Sequence, residues 1–263
     1  MRVIIEPNYE ELSLWAAQYI AYRIKKHKPS PKRPFVLGLP SGSTPLGLFK
    51  YLAQYYKDGT LSFENVIFFG MTEYAGIGAG DPHGFQYFLW DNFLKFVNVK
   101  KEHVYFLNGL TTDFAKECAA YEKNLHKYGG VHLFVGGIGV EGHIAFNEPF
   151  SSLTSRTRAT MLAQSTIHAN SRFFDNDEKK VPTIALTIGI GTMMEAEEIL
   201  ILASGSQKAA AIQATVEGNL THACPASCLQ MHPQSIIACD DAAAAQLSQK
   251  TIAYFKELGR HSI

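Results

Sequence analysis

Residues 35–45 read FVLGLPSGSTP, and this stretch decides the fold class because it joins a predicted strand directly to a predicted helix. The apolar run at 35–39 predicts a buried strand, and the small residues at 41–44 predict a tight loop. Pro45 suits the first turn of the next helix, where a backbone N–H is not needed. A strand that runs into a helix in this way is typical of α/β proteins with parallel sheets.

The same alternation of strand and helix continues on both sides of this stretch. Asn8 and Glu11 have the spacing of a capping box and predict the start of the first helix, whereas residues 70–84 predict a long glycine-rich loop. Because helices supply the crossovers that parallel strands need, the sequence predicts one domain over residues 1–263. The predicted fold is α/β, with a single doubly wound, mostly parallel sheet and helices on both faces. Further strands are predicted at 2–5, 66–69, 104–107, 131–135, 184–188, 199–202 and 235–239, and further helices at 113–128, 206–217 and 241–258.

The glycine-rich segments fall at the predicted carboxyl ends of strands. Ligands of open α/β sheets bind at these ends, so we expect the pocket there. Residues 151–182 are polar and weakly periodic. They are interpreted as a flap within the same domain, and a plain surface excursion accounts for them equally well.

Composition and charge exclude several classes of protein. The formal net charge is +0 and no long basic run occurs, which disfavours a nucleic-acid binder. No apolar run is long enough for a bilayer, and the N-terminus lacks the pattern of a signal peptide, so we expect a cytoplasmic protein without a membrane partner. The four cysteines are scattered, so we expect reduced, partly buried thiols and neither a disulfide framework nor a metal site; they are Cys118, Cys224, Cys228 and Cys239.

The loop at 41–44 reads SGST and opens a predicted helix. Backbone N–H groups at a helix N-terminus attract anions, and the hydroxyl groups of serine and threonine add donors. The lysine of the P-loop motif is missing. The loop is therefore either an anion site or a simple strand-to-helix turn, and the motif alone does not decide between them.

Residues 136–149 read GGIGVEGHIAFNEP and hold the densest group of reactive side chains. The glycines leave the backbone open to close approach by a ligand. Glu141, His143 and Glu148 fall within eight residues, and a histidine flanked by carboxylates is typical of a general acid or base near neutral pH. A metal site and a purely structural histidine are the alternatives. Arg172 and Lys208 are cations of the kind that bind phosphate, or else solvated surface residues.

Several long motifs in order resemble the glucosamine-6-phosphate deaminases, also called glucosamine-6-phosphate isomerases. The resemblance extends over essentially the whole chain. The matching stretches are LPSGSTP at 39–45, GHIAFNEP at 142–149, SSL at 151–153, SRTR at 155–158, ANSRFF at 169–174 and ALTIGIGT at 185–192.

The resemblance implies the activity of that family. Its members are aldose–ketose isomerases of amino-sugar metabolism that convert glucosamine 6-phosphate to fructose 6-phosphate and ammonia. They use no organic cofactor, and no metal is implied. The implied partner is a phosphorylated hexose or hexosamine. A homo-oligomer is also implied, since some members are hexamers.

The resemblance assigns roles to individual residues of this chain. His143 would open the sugar ring, with Glu141 and Glu148 orienting it. The substrate phosphate would be held by Ser41, Gly42, Ser43, Thr44, Arg172 and Lys208. Parts of an allosteric site for an N-acetylated sugar phosphate would be Ser151, Ser152, Arg158 and Tyr254.

The chain departs from the family pattern at the site itself. The family has Asn-Met-Asp-Glu-Tyr where residues 70–74 read GMTEY, so Thr72 replaces the aspartate that moves a proton between C2 and C1 of the sugar. A threonine hydroxyl is too weak a base for that step at neutral pH. Glu141 replaces an aspartate, which displaces the carboxylate by about 1 Å. Thr160 replaces a lysine common in bacterial members, and residues 82–84 read PHG instead of Pro-Glu-Ser.

Three hypotheses follow from these departures. In the first, the chain is a deaminase homologue with weak or altered activity, in which either His83, Glu73 or Glu141 replaces the missing base or the substrate differs. Glu73 is expected to point elsewhere, because neighbours along a chain diverge in direction. In the second, the chain is a non-catalytic sugar-phosphate-binding protein or sensor. The third, a hydrolase similar to 6-phosphogluconolactonase, is disfavoured by the matches beyond residue 150.

Overall fold

A seven-stranded sheet, parallel throughout, forms the centre of the computed structural model, which describes residues 1–259. Its strand order is β1-β10-β9-β6-β2-β3-β5. The predicted α/β class with a mostly parallel sheet is therefore confirmed. The strands of this sheet are β1 (Arg2–Glu6), β2 (Phe35–Leu39), β3 (Val66–Gly70), β5 (Val104–Tyr105), β6 (Leu133–Gly137), β9 (Glu198–Ala203) and β10 (Ser235–Asp240).

Helices connect the strands and cover the sheet. The first begins as the sequence predicts, because the Asn8 side chain accepts a hydrogen bond from the Glu11 backbone N–H at 3.0 Å. It ends where Lys28 adopts a left-handed conformation with φ 53°. The α-helices are α1 (Tyr9–His27), α2 (Leu46–Lys57), α3 (Phe85–Asn92), α4 (Phe114–Lys127), α5 (Gln164–Asn170), α6 (Ile190–Met194), α7 (Ala209–Val216) and α8 (Gln249–Gly259). Short 3-10 helices lie at Leu94–Phe96, Lys101–His103, Ser171–Phe173, Glu178–Lys180, Ser206–Lys208 and Pro225–Met231.

Both faces of the central sheet are buried under apolar layers. On β3, Ile67 and Phe69 belong to one core cluster, whereas Val66 and Phe68 belong to the other. This alternation follows from the period of two along a strand. Helices α1, α2 and α3 contribute to one cluster, and α4, α6 and α7 contribute to the other. Each fully buried large side chain contributes about 1.5–3 kcal/mol to stability, so the two layers hold the sheet rigidly.

A second, three-stranded antiparallel sheet lies beside the central one. Its strands are β4 (Thr72–Tyr74), β8 (Ile184–Thr187) and β7 (Arg158–Met161), in the order β4-β8-β7. The sequence-based assignment of 70–84 as a loop is wrong at β4, which is too short to give a periodic signal. The strand predicted at 184–188 exists, but it does not join the central sheet. An apolar run predicts burial and does not reveal which partner a strand pairs with.

The predicted last helix begins later than the sequence suggests. Residues 241–248 form turns, and α8 starts only at Gln249. The alanines at 242–245 favour a helix by propensity. Instead the Asp240 carboxylate accepts a hydrogen bond from the Ala243 N–H at 2.8 Å. Ala243 and Ala244 are buried in the core, so tertiary packing overrides their local preference.

Residues 151–182 carry regular structure, namely β7, α5 and two of the 3-10 helices. Leu162, Ile167 and Phe174 of this segment pack in a small apolar cluster with Tyr74 and other residues. The segment is thereby attached to the second sheet. No helix within the part of the chain described here combines the length and apolar character that a membrane span requires.

Candidate functional site

A cleft of about 870 Å³ opens at the carboxyl ends of the central strands. The segments that follow β2, β3, β6 and β9 all contribute to its lining, together with residues of α5 and the 3-10 helix after it. This position is where open parallel sheets bind ligands. The volume falls in the range of about 300–1,000 Å³ that is usual for small-molecule sites.

The loop after β2 forms one wall of the cleft. Gly42 has φ +100°, a left-handed conformation that favours glycine. Tyr9 of α1 fixes the loop, since its hydroxyl group accepts a hydrogen bond from the Gly47 N–H at 2.8 Å and donates to the Thr44 carbonyl at 3.1 Å. Sequence reasoning did not single out Tyr9. All four residues of the predicted anion loop line the cleft, namely Ser41, Gly42, Ser43 and Thr44.

The two predicted phosphate-binding cations, Arg172 and Lys208, also line the cleft. Burial lowers the pKa of Lys208; the Glu141 carboxylate opposes this shift and the charge of Arg172 adds to it. The two cations are therefore close enough to repel each other electrostatically. An anion bound between them would relieve that repulsion.

Lys208 follows a loop that Asp240 holds in place. The Asp240 carboxylate accepts hydrogen bonds from the Ser204 hydroxyl at 2.5 Å and from the Gly205 N–H at 3.0 Å. Gly205 has φ +92°, so the turn into the 3-10 helix suits glycine. The position of Lys208 is thus determined by the end of β10 as well as by its own loop.

His143 lies between two carboxylates. Its Nδ1 atom is 3.4 Å from Glu141 Oε2 and 3.5 Å from Glu148 Oε2. Burial lowers the pKa of His143, and the Glu148 and Glu141 carboxylates oppose this shift. Burial dominates, so the neutral imidazole is favoured near neutral pH. An imidazole in this state, with carboxylates beside it, can accept a proton and return it.

Glu148 stands behind His143 and is not part of the cleft lining. Its Oε1 atom accepts a hydrogen bond from the Ala163 N–H at 3.3 Å. Glu148 Oε2 and His143 Nδ1 are buried, and neither makes a hydrogen bond within residues 1–259. Nδ1 is thus the nitrogen turned toward the carboxylates, and His143 itself lines the cleft.

Two glycines allow the loop to hold His143 in this position. A Cβ atom at Gly139 would lie 2.2 Å from the His143 ring, so the ring packs directly on the backbone. Gly142 has φ +80°, and a Cβ atom there would lie 2.4 Å from Cys224 Sγ. The Gly142 carbonyl accepts a hydrogen bond from the Ala226 N–H at 2.8 Å. The glycines that the sequence suggested for ligand access therefore also serve the packing of the loop.

Thr72 lines the cleft from β4 and is 7% exposed. In the second sheet it pairs with Thr187, whose hydroxyl group accepts a hydrogen bond from the Phe146 N–H at 3.1 Å. Thr187 therefore connects Thr72 with the loop that carries His143. In the chain, Thr72 follows β3 and His143 follows β6. In the central sheet, β2 lies between these two strands.

Of the three residues that sequence reasoning offered as a replacement base, only Glu141 lines the cleft. Glu73 is 2% exposed. Its carboxylate accepts hydrogen bonds from the N–H group of Tyr74 and from the N–H groups of Phe85 and Gln86, which begin α3. The expectation that Glu73 points elsewhere is therefore confirmed. His83 contacts Asp81 Oδ1 at 2.8 Å and lies outside the lining.

Only some of the residues that the resemblance assigns to an allosteric site contact one another. Arg158 donates to Asn147 Oδ1 at 2.8 Å and to the Ser151 hydroxyl at 3.2 Å. Ser152 is exposed, and its hydroxyl group lies 3.1 Å from that of Thr154. Tyr254 is 58% exposed on α8 and makes no hydrogen bond to any of the others within residues 1–259.

Thr166 and Lys50 line the cleft but were not predicted from the sequence. Thr166 is 4% exposed, and its hydroxyl group has no hydrogen-bond partner within the described residues. No motif marked either position. Across residues 1–259, no group of three or more His, Cys, Asp or Glu side chains is arranged to hold a metal ion. The four cysteines are unpaired and buried.

Comparisons with known proteins identify the family of this chain. Residues 7–238 match the family model of glucosamine-6-phosphate isomerases/6-phosphogluconolactonase. A glucosamine-6-phosphate deaminase of Treponema denticola is 51% identical over 263 residues, which cover 100% of this chain and 97% of the relative. A glucosamine-6-phosphate deaminase of Phocaeicola vulgatus is 51% identical, with 100% of both chains covered.

Solved structures show the same fold. A monomeric glucosamine-6-phosphate deaminase superposes with a TM-score of 0.89 and 36% identity, covering 94% of this chain and 100% of that one. A 6-phosphogluconolactonase of Trypanosoma cruzi has a TM-score of 0.72 and 18% identity, covering 94% of this chain and 97% of that one. The second likeness is one of fold alone. By the family model and by relatives at about half identity over their full length, this chain belongs to the glucosamine-6-phosphate isomerase/6-phosphogluconolactonase family.

Proposed function

We propose that this protein binds glucosamine 6-phosphate in the cleft and converts it only weakly to fructose 6-phosphate and ammonia. The relatives at about half identity are glucosamine-6-phosphate deaminases, which supports the substrate class. The observation that carries the proposal is the composition of the cleft. An anion loop, two cations and His143 line the cleft, and Thr72 lines it as well, at the position where the resemblance implies the C2 base of the family.

The phosphate group binds at the wall formed by residues 41–44, Arg172 and Lys208. The loop residues supply hydroxyl and backbone N–H donors at the start of α2. Arg172 supplies forked donors and Lys208 a point charge. Burial and the charge of Arg172 lower the pKa of Lys208, and a dianionic ligand bound between the two cations would oppose that shift.

The reducing end of the sugar then lies toward His143. Opening the ring requires a proton on the ring oxygen and the removal of a proton from the C1 hydroxyl group. His143 exchanges the first proton, and Glu148 and Glu141 stabilise the imidazolium that forms when it is protonated. Neither carboxylate needs to move far, since both already lie within 3.5 Å of Nδ1.

The next step moves a proton from C2 to C1, and Thr72 cannot catalyse it. One general acid–base group contributes typically ~10²–10⁴-fold, so its loss lowers turnover severely. Glu141 is the carboxylate in the lining that stands nearest to the chemistry, but it already serves His143. Weak turnover is therefore the expected state of this site.

A second candidate function is binding without turnover, as in a sensor. This candidate is favoured because the C2 base is missing while the groups that would bind the phosphate are present. The lactonase alternative has less support, because the matched lactonase structures resemble this chain at 15–18% identity only.

The assembly state is a separate proposal. Resemblance to hexameric family members suggests a homo-oligomer, whereas a solved relative is described as monomeric. Light scattering on a size-exclusion column measures the mass directly. A monomer would contradict the proposed homo-oligomer.

A thermal-shift titration combined with an ammonia assay tests the proposed function. Glucosamine 6-phosphate, fructose 6-phosphate and 6-phosphogluconate are compared, since a ligand of the native state raises the apparent stability. We expect stabilisation by the amino sugar with little ammonia release. Lys208→Met should abolish the stabilisation, and Lys116→Met, at an exposed position of α4, is the matched control.

Two outcomes contradict the proposal. Stabilisation by 6-phosphogluconate alone would identify a different substrate class. Ammonia release at the rate of an ordinary family member would mean that another residue replaces the missing base.

A further inference from the structure

We propose that the hydroxyl group of Thr166 binds the C2 substituent of the sugar, and that Thr166 thereby determines which hexose 6-phosphates the cleft prefers. This inference rests on the proposed function, because it takes the same cleft and the same phosphate anchor. No sequence motif marks Thr166, and none of the proposed acid–base steps uses it. The residue is therefore assigned to recognition of the sugar and not to the chemistry.

The first support is the state of the Thr166 hydroxyl group. Thr166 lines the cleft and is only 4% exposed. Within residues 1–259, no other buried side-chain hydroxyl oxygen lacks a hydrogen-bond partner. Burial of a polar group without a partner costs free energy, and buried polar groups in native proteins are nearly always hydrogen-bonded. An unpaired hydroxyl group in the wall of a ligand cleft therefore points to a partner on the ligand.

The position of Thr166 at the start of α5 explains why its own helix does not use the hydroxyl group. A threonine in a helix often donates to the carbonyl group four residues earlier. Thr215 of α7 does so, since its Oγ1 donates to the Ala211 carbonyl at 2.7 Å. Thr166 lies in the first turn of α5, so the residue four positions earlier, Leu162, precedes the helix. The Thr166 hydroxyl group is thus left available to the cleft.

The second support is the distance of Thr166 from the phosphate anchor. Arg172 follows Thr166 by six residues, which is about 9 Å along a helical segment. The other end of α5 adjoins the acid–base cluster, because the Ala163 N–H donates to Glu148 Oε1 at 3.3 Å. In a pyranose ring, C2 lies directly across from C5, which carries the phosphate arm. A sugar anchored by its phosphate near Arg172 therefore extends its C2 toward Thr166.

The third support is the contact between α5 and β4. Asn170 Nδ2 donates to the Tyr74 hydroxyl group at 2.9 Å. Asn170 follows Thr166 by one helical turn, and Tyr74 follows Thr72 by two strand residues, so each shares a face with the earlier threonine. Thr166 and Thr72 thus line the cleft from two elements that touch each other. The resemblance implies that C2 reacts beside position 72, which supports the assignment of the C2 substituent to Thr166.

The chemistry of a hydroxyl group gives the expected preference. A threonine hydroxyl both donates and accepts, so an amino group or a hydroxyl group at C2 would satisfy Thr166. A methylene group at C2 would leave it unpaired. One neutral hydrogen bond changes affinity by about three- to tenfold. The cleft should therefore bind 2-deoxy sugar phosphates more weakly than glucosamine 6-phosphate by at least about this factor.

The test is a calorimetric titration of the full-length protein with glucosamine 6-phosphate, 2-deoxyglucose 6-phosphate and inorganic phosphate. Thr166→Val keeps the branched shape and removes the hydroxyl group. We expect this variant to bind glucosamine 6-phosphate about three- to tenfold more weakly than the parent protein. Its affinities for 2-deoxyglucose 6-phosphate and for inorganic phosphate should stay unchanged. Thr166→Ser retains the hydroxyl group and should bind the amino sugar as the parent does.

Urea unfolding of the ligand-free protein separates recognition from a structural role. Thr166→Val should unfold at the same urea concentration as the parent or at a higher one, because it removes a buried polar group that has no partner. Thr215→Val is the matched control, since it removes a buried hydroxyl group that is already bonded within α7. It should leave the affinity for glucosamine 6-phosphate unchanged.

The possible failures are distinguishable from one another. Equal affinity of the parent and Thr166→Val for glucosamine 6-phosphate would overturn this inference and leave the proposed function intact. A parallel loss of affinity for 2-deoxyglucose 6-phosphate would contradict the assignment to C2. A lower urea midpoint in Thr166→Val would indicate a structural role instead. A parent protein that does not bind glucosamine 6-phosphate would overturn both the inference and the proposed function.

Discussion

His143 Nδ1 lies 3.5 Å from Glu148 Oε2, and neither atom makes a hydrogen bond to another described residue. The separation exceeds the usual hydrogen-bond range of about 2.7–3.2 Å by a few tenths of an ångström. Catalytic hydrogen bonds are often long before the substrate binds. The pair therefore fits a site that tightens when His143 takes up its proton.

Glu148→Gln should lower the pKa of His143 further, because it removes the negative charge of Glu148, which raises that pKa. The imidazolium is then populated only at lower pH, and proton donation at neutral pH weakens. An NMR titration of the histidine ring measures the shift directly. Glu10→Gln at the rim of the cleft is the control and should leave the His143 titration unchanged. An unchanged titration in Glu148→Gln would mean that the carboxylate does not act on the ring.

Gly139→Ala and Gly142→Ala should both destabilise the His143 loop. At Gly139 the new methyl group meets the His143 ring, and at Gly142 it meets Cys224 Sγ with φ at +80°. Overpacking of this kind costs about 1–3 kcal/mol, and the left-handed backbone at 142 adds about 1–2 kcal/mol. Urea unfolding measures the loss. Gly80→Ala is the matched control, since a Cβ atom there meets nothing within 4 Å.

The stabilisation by a bound ligand should fall more in Gly139→Ala than in Gly142→Ala, because the clash at Gly139 is the closer one. Gly139→Ala displaces the ring itself, so it should weaken ammonia release more than phosphate binding. If both glycine variants unfold at the same urea concentration as the parent protein, the tight packing of this loop is contradicted.

Acid should destabilise the protein through His132. Its Nδ1 accepts a hydrogen bond from the Val36 N–H at 2.9 Å, and burial, together with the charges of His27, Arg23 and Arg33, lowers the pKa of His132 to about 4. Between about pH 6.5 and 4 the unfolded chain binds a proton here that the folded chain does not. Stability therefore falls as the pH is lowered through this window and is fully present above it.

The size of this effect has an upper bound. At 1.36 kcal/mol per pKa unit, the loss is at most about 3.4 kcal/mol, and partial solvation reduces it. His132→Gln should flatten the pH dependence of urea unfolding between pH 6.5 and 4. A slope equal to that of the parent protein would assign the acid sensitivity to other groups.

Arg158→Met should destabilise the protein even when no effector is present. Arg158 donates to Oδ1 of Asn147, which is fully buried and whose Nδ2 donates to the carbonyls of Ile144 and Ile188. Removing the donor leaves that oxygen poorly satisfied, at a cost of about 1–3 kcal/mol. Arg158→Lys should recover part of the loss. Unchanged urea unfolding of Arg158→Met would indicate that the residue serves only an external ligand.

The sequence predicts the central sheet well because its strands are apolar runs that both faces bury. It fails at β4, since three residues carry no measurable period, and at 241–248, where the caps of Asp240 override the helix propensity of alanine. The site follows the same division. Residues 41–44 and 136–149 stand out by composition, whereas Tyr9 and Thr166 enter the cleft environment only through the packing of α1 and α5.

Ammonia release by Thr72→Asp tests the central claim most directly. The variant and the parent protein are assayed at saturating glucosamine 6-phosphate, with Thr72→Asn as the control of similar shape that lacks a base. We expect Thr72→Asp to release ammonia at least tenfold faster than the parent, and Thr72→Asn to show no gain. A parent protein that already releases ammonia as fast as Thr72→Asp would contradict the account, because the C2 proton would then be moved without a carboxylate base at position 72.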